Sequence, residues 1–360
     1  MDRRSFLRTS AIGGAAATTT LAAPAIAQGN RTLTLVTTWP RGLAGVHDAA
    51  QHVADNITAM SDGTLTVDLK AAGELVGAFE VFDAVTAGQA DMYHGADYYF
   101  IGQHPAYGFY ASVPFGMTAQ ELANWYYHMG GQEFHDELGQ IFGLKSFLAG
   151  NTGAQAGGWF RQEITSPADL QGLRFRMPGQ GGEAMSRLGA SVQNLPGGEV
   201  YQALSSGAID GTEWIGPWSD QAAGFQEITD IYYTAGFHEP GPGLSLATNR
   251  SVFEELTPAQ QKIIEVASAE AHQWNLAQFL SNNGRSLEQL QSQGVRVFEF
   301  PDSVWDAFGT ASTEVLEANF SDELFKRVYD SYQESMRRSS SWIQQSEGAY
   351  RTQRDRVFGL

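Results

Sequence analysis

The order of strand-like and helix-like segments is the feature that most limits how this chain can fold. From residue 31 onward, short runs rich in β-branched residues alternate with runs in which apolar residues recur at helical spacing. Strands are predicted at 31–38, 64–70, 92–96, 145–149, 156–160, 173–177, 228–234 and 295–300, and helices at 46–60, 78–86, 119–128 and 182–188. This alternation is typical of α/β proteins with mostly parallel strand pairing.

A long helix and a helical tail are predicted for the last third of the chain. Thr257 offers an N-cap hydroxyl, Pro258 suits the first helical position, and Gln260 completes a capping box. We expect this helix to reach about residue 282 or further, with Gly284 leaving its end open. A second helical region begins at Asp302 or Ser303 and continues with interruptions to the C-terminus.

Two segments rich in Gly and Pro, 150–158 and 239–243, enclose about ninety residues and indicate two crossings between lobes. The predicted organisation is lobe I from 28–150 plus about 240–300, lobe II from 151–239, and a C-terminal helical segment, 301–360, that packs across the lobes or in a dimer. A ligand would then bind in the cleft between the lobes, where strand ends meet.

The N-terminus reads as a twin-arginine export signal, here assigned to residues 1–27. Arg3 and Arg4 precede Ser-Phe-Leu, an apolar stretch covers 11–23, and Ala25-Ile-Ala27 fits a cleavage site. The apolar stretch is too short and too diluted with Gly and Thr for a membrane anchor. The expected location of the mature protein is therefore the periplasm.

Composition excludes several classes of function. The formal net charge is −18, whereas nucleic-acid-binding proteins carry basic surfaces. The chain has no cysteine, so disulfides, thiolate catalysis, iron–sulfur clusters and cysteine–zinc sites are absent. Phosphate-loop, dinucleotide-binding, H-E-x-x-H and serine-hydrolase motifs are also missing from the sequence, and none of the eight scattered histidines is assigned to zinc.

The segment from Gly172 to Trp214 carries the clearest binding signal. Arg176 ends an apolar strand just before the glycine-rich start of a helix. A strand-end guanidinium beside a helix N-terminus can hold a carboxylate through paired hydrogen bonds and backbone N–H groups. Arg174 lies on the same side of the strand and is expected to be structural. A solvent-facing ion pair is the competing interpretation of Arg176.

A cation site is predicted beside that anion site. Glu213 and Trp214 follow a short apolar run, and Gln155 lies upstream of the arginine. Carboxylate, amide and backbone carbonyl oxygens are the ligands that Ca²⁺ or Na⁺ prefers. An isolated glutamate is more often a solvated surface residue, and nearby tryptophans and tyrosines more often pack in a core than line a pocket.

Several stretches of the chain resemble the solute receptors of TRAP (tripartite ATP-independent periplasmic) transporters. The most specific are Gly172-Leu-Arg-Phe-Arg176-Met-Pro-Gly179, Leu204-Ser-Ser-Gly-Ala-Ile-Asp-Gly-Thr-Glu-Trp214 and Gly294-Val-Arg-Val-Phe298. The run Asn151-Thr-Gly-Ala-Gln155 together with Glu213-Trp214 is similar to the branch that binds 2-oxo or 2-hydroxy monocarboxylates, such as pyruvate or lactate, with a cation.

This resemblance implies a two-lobed Venus-flytrap α/β fold with mixed sheets, a long helix spanning both lobes and a helical C-terminal tail. It also implies site roles. Arg176 pairs with the substrate carboxylate, Tyr98 or Tyr99 reaches the ligand, and Glu239 is a further acidic pocket residue. Gln155 and Glu213 supply side-chain oxygens to Ca²⁺ or Na⁺, and Trp214 supplies its backbone carbonyl. The implied partners are a small organic acid, the TRAP membrane permease subunits and a second copy bound through the C-terminal helix.

Two alternatives remain at the level of sequence. An exported metal-dependent enzyme acting on a small acid could use Glu213 or Glu239 as a base, and a sensory subunit could report the same ligand to a membrane kinase. Asp97 and the pair Phe237-His238 depart from the expected pattern and would reshape the pocket.

Overall fold

The computed structural model describes residues 30–359, which form two mixed β-sheets flanked by helices. The export signal predicted in residues 1–27 lies outside the described residues. Among the helices of residues 30–359, none combines the length and the apolar character needed to cross a membrane.

Within residues 30–359 there are eleven strands and twelve α-helices. The strands are β1 (Arg31–Thr37), β2 (Leu65–Lys70), β3 (Met92–Gly95), β4 (Leu144–Asn151), β5 (Gly158–Phe160), β6 (Arg174–Arg176), β7 (Ser191–Gln193), β8 (Gly211–Thr212), β9 (Ile231–Tyr233), β10 (Gly243–Asn249) and β11 (Arg296–Phe298). The helices are α1 (Val46–Met60), α2 (Val81–Thr86), α3 (Ala119–His128), α4 (Gly131–Phe142), α5 (Gly179–Arg187), α6 (Gly197–Ser205), α7 (Pro217–Ala223), α8 (Arg250–Glu255), α9 (Pro258–Ser292), α10 (Asp302–Glu317), α11 (Glu323–Ile343) and α12 (Ala349–Phe358).

The first sheet has the strand order β2-β1-β3-β10-β4. β1 pairs in parallel with β2 and β3, but β10 runs antiparallel between β3 and β4. The sequence prediction contained no strand at β10, because this segment directly follows a stretch rich in Gly and Pro. All its residues except Asn249 are buried, so the strand is held by packing on both faces.

The second sheet has the order β11-β9-β5-β8-β6-β7. β6 lies in parallel between β7 and β8, and the register sets Arg176 opposite Thr212. This pairing brings the end of β6 beside Glu213, which follows β8 directly. β7 and β8 have three and two residues, too few to show a periodic pattern, and neither was predicted.

Helix α9 runs along both halves of the structure and contacts each of them. Its 35 residues span about 52 Å at 1.5 Å per residue, and it continues through Gly284, beyond the shorter predicted end. Thr257 and Gln260 form the predicted capping box. Asn275 ties the helix to the first sheet, since its Oδ1 accepts from the backbone N–H of Asn151 at 3.1 Å. Further along, Asn283 Oδ1 accepts from the backbone N–H of Trp218 at 3.1 Å.

The C-terminal part of the chain contacts both halves in turn. β11 pairs with β9 in the second sheet, whereas the predicted boundaries placed residues up to about 300 with the first lobe. Helix α10 packs on α5, and α11 then returns to α3 and α4, where Trp125 Nε1 donates to Ser331 Oγ at 3.1 Å. The remaining lobe boundaries stay predictions.

Candidate ligand-binding site

The predicted site residues meet between the two sheets. They come from the 3-10 turn after β3 (Tyr98, Tyr99), the loop after β4 (Gln155), the end of β6 (Arg176), the loop after β8 (Glu213, Trp214) and the segment before β10 (Glu239). Tyr98, Tyr99, Gln155, Arg176 and Trp214 line a cavity of about 10 Å³, together with Trp39, Val46, Thr152, Ile215 and Leu244. A cavity of that size holds roughly one water molecule, so the cleft between the two halves is closed.

Arg176 is a buried guanidinium held by the second sheet. It is 1% exposed, its Nε donates to the carbonyl of Leu195 at 3.1 Å, and Nη1 pairs with Glu213. Burial by itself lowers the pKa of Arg176, but the charge of Glu213 and the nearby Tyr99 and Tyr98 outweigh it and hold the pKa above its usual value. Nη2 has no hydrogen-bond partner among residues 30–359, so this arginine keeps an unused donor.

Arg174, two residues earlier on the same strand, has a different environment. Its side chain is half-exposed and forms an ion pair with Asp210, with Nε donating to Asp210 Oδ2 at 2.8 Å. The two arginines of the motif therefore have different surroundings. Arg174 lies at the surface of the sheet, and Arg176 lies in the cleft.

The tyrosine pair forms the wall contributed by the first sheet. The rings of Tyr98 and Tyr99 are nearly perpendicular, with centroids 4.8 Å apart. Burial raises the pKa of both phenols, so both stay protonated hydroxyl groups. The charges of Glu239 and Glu213 add to this rise in the pKa of Tyr98, and Tyr99 lies near the charges of Arg176 and Glu213. Both phenols therefore lie close to the charged residues of the second half.

Asp97 does not reshape the pocket as the sequence led us to expect. Its carboxylate points into the core of the first sheet, where it accepts from Ser245 Oγ at 2.7 Å and Tyr93 Oη at 3.2 Å. His135 Nε2 lies 3.1 Å from the same carboxylate. All four residues are buried, so Asp97 anchors the turn that carries the two tyrosines.

Gln155 and Glu213 each present an oxygen that the described chain does not use. Gln155 Nε2 donates to Thr152 Oγ1 at 3.1 Å, and its Oε1 has no hydrogen-bond partner within residues 30–359. Glu213 is fully buried. One of its oxygens pairs with Arg176, and within the same range of residues the other accepts no hydrogen bond.

Trp214 is fixed by the loop that follows it. Its Nε1 donates to Ser219 Oγ at 3.1 Å, and its ring lies 5.1 Å from the guanidinium carbon of Arg176. The carboxylate of Asp220 accepts from the backbone N–H groups of Ile215 and Gly216 at 3.0 and 2.8 Å. Sequence reasoning gave Asp220 no role, although it holds the turn that positions Trp214.

Glu239 brings a second carboxylate to the same place, next to His238. Burial, and then the charge of Glu213, raise the pKa of Glu239 well above its usual value. One ligand atom from each of Glu213, His238 and Glu239 lies within 4.8 Å of the others. The sequence prediction assigned His238 to no metal site, and its adjacency to Glu239 was the available signal.

These residues fit a bound cation. Gln155 Oε1, Glu213 Oε2 and Glu239 Oε2 are buried oxygens without hydrogen-bond partners in the described part of the chain. Two carboxylates face one guanidinium, so the site has an excess of negative charge when both are ionised. Oxygen ligands of these types suit Ca²⁺ or Na⁺.

Two lobes closing on a buried, charged cleft define a solute receptor of the periplasmic-binding-protein type. The chain belongs to family 7 of the bacterial extracellular solute-binding proteins, whose sequence model matches residues 37–323. It is 39% identical, over 97% of its length and 98% of the relative's, to a monocarboxylate 2-oxoacid-binding periplasmic protein of Nostoc. The family comprises solute-binding receptors rather than enzymes, and membership in it places the chain in the periplasm.

Two solved structures share this fold. A TRAP periplasmic solute-binding protein from Pseudoalteromonas atlantica, with bound sodium and pyruvate, superposes with a TM-score of 0.86 at 37% identity, covering 89% of this chain and 98% of that one. A TRAP solute-binding protein from Bordetella bronchiseptica superposes at 0.90 with 30% identity, covering 92% and 99%; it is a mixed-occupancy dimer with calcium and picolinate in one site. The two-lobed fold with a helix spanning both lobes is confirmed.

Two adjacent glycines at the start of α6 test how tightly Trp214 is packed. A Cβ at Gly197 would lie 2.3 Å from the Trp214 ring, whereas one at Gly198 meets Pro40 at an ordinary 3.5 Å. We expect Gly197→Ala to lower the unfolding free energy by about 1–3 kcal/mol through overpacking, measured by urea denaturation, and to weaken ligand binding. Gly198→Ala is the matched control and should change neither. Equal behaviour of the two variants would contradict this packing.

Proposed function

We propose that this protein is the periplasmic receptor of a TRAP transporter that captures a small 2-oxo or 2-hydroxy monocarboxylate, such as pyruvate or lactate, together with a cation. The observation that carries the proposal is the buried Arg176 with an unused Nη2 donor, enclosed by the tyrosine pair and two carboxylates. The pyruvate and sodium in the Pseudoalteromonas protein and the name of the Nostoc relative support it.

In this proposal Arg176 binds the carboxylate of the acid. Its two terminal nitrogens suit a bidentate pair with a planar carboxylate, which requires Nη1 to exchange its contact with Glu213. Tyr98 and Tyr99 are protonated and can donate hydrogen bonds to the acid from the opposite wall. The exchange leaves Glu213 with both oxygens available.

Gln155, Glu213 and the carbonyl of Trp214 are the groups that would hold Ca²⁺ or Na⁺. Such a cation would supply positive charge and a coordination position for the 2-oxo or 2-hydroxy oxygen. The carbon chain of the acid can extend only a short way beyond that oxygen, because Trp39 and Trp214 line the same small cavity. An acid with two adjacent oxygen functions and a short chain therefore fits best.

Ligand entry requires the lobes to separate, since a three-carbon acid is larger than the closed cavity. Contacts between the halves favour the closed form. Ser219 Oγ accepts from Trp214 and donates to the carbonyl of Ala44 at 3.2 Å, and the backbone N–H of Phe115 donates to the carbonyl of Phe237 at 2.8 Å. An acid bound to both halves would shift the equilibrium toward closure.

The closed, loaded receptor would deliver its acid to the TRAP membrane permease subunits. A sensory subunit would use the same fold and site, and adjacent genes distinguish the two: permease genes indicate transport and a kinase gene indicates sensing. Export by the twin-arginine route stays a prediction from residues 1–27.

Titration calorimetry on protein depleted of bound acid and metal tests the proposed ligand. In the presence of Ca²⁺ or Na⁺ we expect pyruvate and lactate to bind at one site per chain. Acetate should bind at least about tenfold more weakly, because it lacks the 2-oxo or 2-hydroxy oxygen and therefore loses at least ~1.4 kcal/mol of binding free energy. A chelator, in Na⁺-free buffer, should abolish binding and added Ca²⁺ should restore it. No heat from any of these acids, with both cations supplied, would rule the proposal out.

A pair of arginine variants tests the anion site. Arg176→Ala removes the group that binds the carboxylate and leaves Glu213 unpaired, and we expect binding of pyruvate to weaken by about 2–5 kcal/mol. Arg174→Ala removes an equal charge from the same strand but from the partly exposed pair with Asp210, so affinity should stay within about twofold. Circular dichroism checks that both variants fold. Wild-type affinity in folded Arg176→Ala would exclude this role.

We further propose that two copies associate through the C-terminal tail. None of the residues of α12 is buried among those described, and the aromatic side chains of Trp342, Tyr350 and Phe358 are 66–75% exposed. The Bordetella relative, a dimer in its structure, is compatible with such pairing. Large exposed apolar groups concentrated on one helical tail are typical of an interaction surface.

Light scattering coupled to size-exclusion chromatography tests this association. We expect the wild-type protein to elute as a dimer and the double variant Trp342→Ser, Tyr350→Ser as a monomer with unchanged pyruvate affinity. Tyr127→Ser and Leu280→Ser, which change exposed apolar residues outside the tail, serve as controls and should remain dimeric. A monomeric wild-type protein, or a dimeric tail variant, would contradict the proposal.

A further inference from the structure

We propose that His238 is a nitrogen ligand in the cation site, so that this receptor binds a divalent first-row transition metal ion more tightly than Na⁺ or Ca²⁺. The inference rests on the proposed function, because it concerns the cation that accompanies the acid. It adds a nitrogen donor, His238, to the oxygen ligands considered above and changes the class of ion that the site selects.

The separation of the three groups matches one shared ion. Ligand atoms of Glu213, His238 and Glu239 all lie within 4.8 Å of one another. Metal–nitrogen and metal–oxygen bonds of about 2.0–2.2 Å place ligands on opposite sides of an ion ~4.0–4.4 Å apart. Shifts of a few tenths of an ångström would therefore bring all three onto one ion.

His238 is buried without satisfying its own polar atoms. It is 2% exposed, and neither ring nitrogen has a hydrogen-bond partner in the chain between residues 30 and 359. Its Nε2 lies 3.4 Å from Glu213 Oε2, longer than a normal hydrogen bond of 2.7–3.2 Å. Leaving buried polar atoms unpaired costs free energy, and a metal ion between the imidazole and the carboxylates would remove that cost.

The surrounding backbone is shaped to hold the imidazole there. A Cβ at Gly181 would lie 2.7 Å from His238 Cβ, and one at Gly236 would lie 2.6 Å from its Cε1. The loop that carries His238 is also bonded to the backbone of Gln155 on both sides. The carbonyl of Gln155 accepts from the N–H of Gly236 at 3.1 Å, and its N–H donates to the carbonyl of Glu239 at 3.0 Å. The placement of His238 beside the carboxylates is therefore built into the packing of two loops.

Charge favours a divalent ion. Burial raises the pKa of Glu239, so its ionisation is coupled to cation binding. With the cation bound, Glu213 and Glu239 carry two negative charges, Arg176 carries one positive charge, and a bound monocarboxylate adds one negative charge. A divalent ion brings this buried group to neutrality, whereas a monovalent ion leaves one uncompensated charge. Buried net charge is strongly unfavourable.

The nitrogen donor decides which divalent ion is preferred. Ca²⁺ prefers oxygen ligands alone, whereas imidazole suits first-row transition ions, and affinity for mixed nitrogen and oxygen sites rises from Mn²⁺ toward Cu²⁺. A site with one imidazole, two carboxylates and an amide oxygen should therefore take Co²⁺ or Zn²⁺ in preference to Ca²⁺.

Calorimetric competition measures that preference. Metal-depleted protein in Na⁺-free buffer with excess pyruvate is titrated with CoCl₂ and, separately, with CaCl₂, and Co²⁺ is then added to the Ca²⁺-loaded form. We expect Co²⁺ to bind at least about tenfold more tightly than Ca²⁺ and to displace it. His238→Gln should remove this advantage, so that the ratio of the Co²⁺ affinity to the Ca²⁺ affinity falls by at least about tenfold relative to wild type. Equal or weaker binding of Co²⁺ by the wild-type protein would overturn the inference.

Pulsed electron paramagnetic resonance tests the ligand directly. With Mn²⁺ and pyruvate bound, the spectrum should show coupling to one imidazole nitrogen, and His238→Gln should lose it. His52→Gln is the control, because His52 lies 2.7 Å from Glu270 and forms another histidine–carboxylate pair, on the surface. The nitrogen coupling should persist in this variant. The wild-type spectrum decides the question even where the variant fails to fold: bound Mn²⁺ without nitrogen coupling refutes coordination by His238.

The outcomes separate this inference from the proposed function. Pyruvate binding with Na⁺ or Ca²⁺ alone, without any preference for Co²⁺ or nitrogen coupling, leaves the receptor function standing and refutes the role of His238. No binding of pyruvate with any of these cations refutes both.

Discussion

The contact between Arg176 and Glu213 is the interaction on which the architecture of the cleft depends. Both side chains are 1% exposed, and burying two charges is costly unless they are paired and hydrogen-bonded. The second sheet supplies that pairing through a short parallel strand and the loop beside it. The result is an arginine that stays charged out of water, which is the requirement for binding an acid in a closed protein.

The two halves of the cleft contribute different chemistry. The second sheet brings the guanidinium and Glu213, while the first sheet brings two phenols that burial keeps protonated. Asp97 explains why the phenols are well placed, because its buried hydrogen bonds fix their turn to the sheet core. Charge on one wall and neutral donors on the other allow recognition of an anion without repulsion between the walls.

The sequence predicted the class of fold and most residues of the candidate site because its strongest signals were local. The bounds of α1 and α3 agree with the predicted segments, since both have clear helical spacing. Arg176 and Glu213 were found through motifs, although only the register of β6 and β8 brings them together. β8 was missed because two residues carry no periodicity, and β10 because a stretch rich in Gly and Pro precedes it. The proximity of His238 to Glu213 was not predicted, because the two residues are 25 positions apart in the chain.

Two segments that connect the sheets determine which parts of the cleft can separate. Gln155 and Glu239 lie on different connections between the sheets, yet the backbone bond between them, 3.0 Å long, holds them side by side. A swing of one half against the other would carry the phenols away from the guanidinium but would leave the amide and the second carboxylate as neighbours at the pivot. Separation of the phenols from the guanidinium would thus open the cleft to the acid.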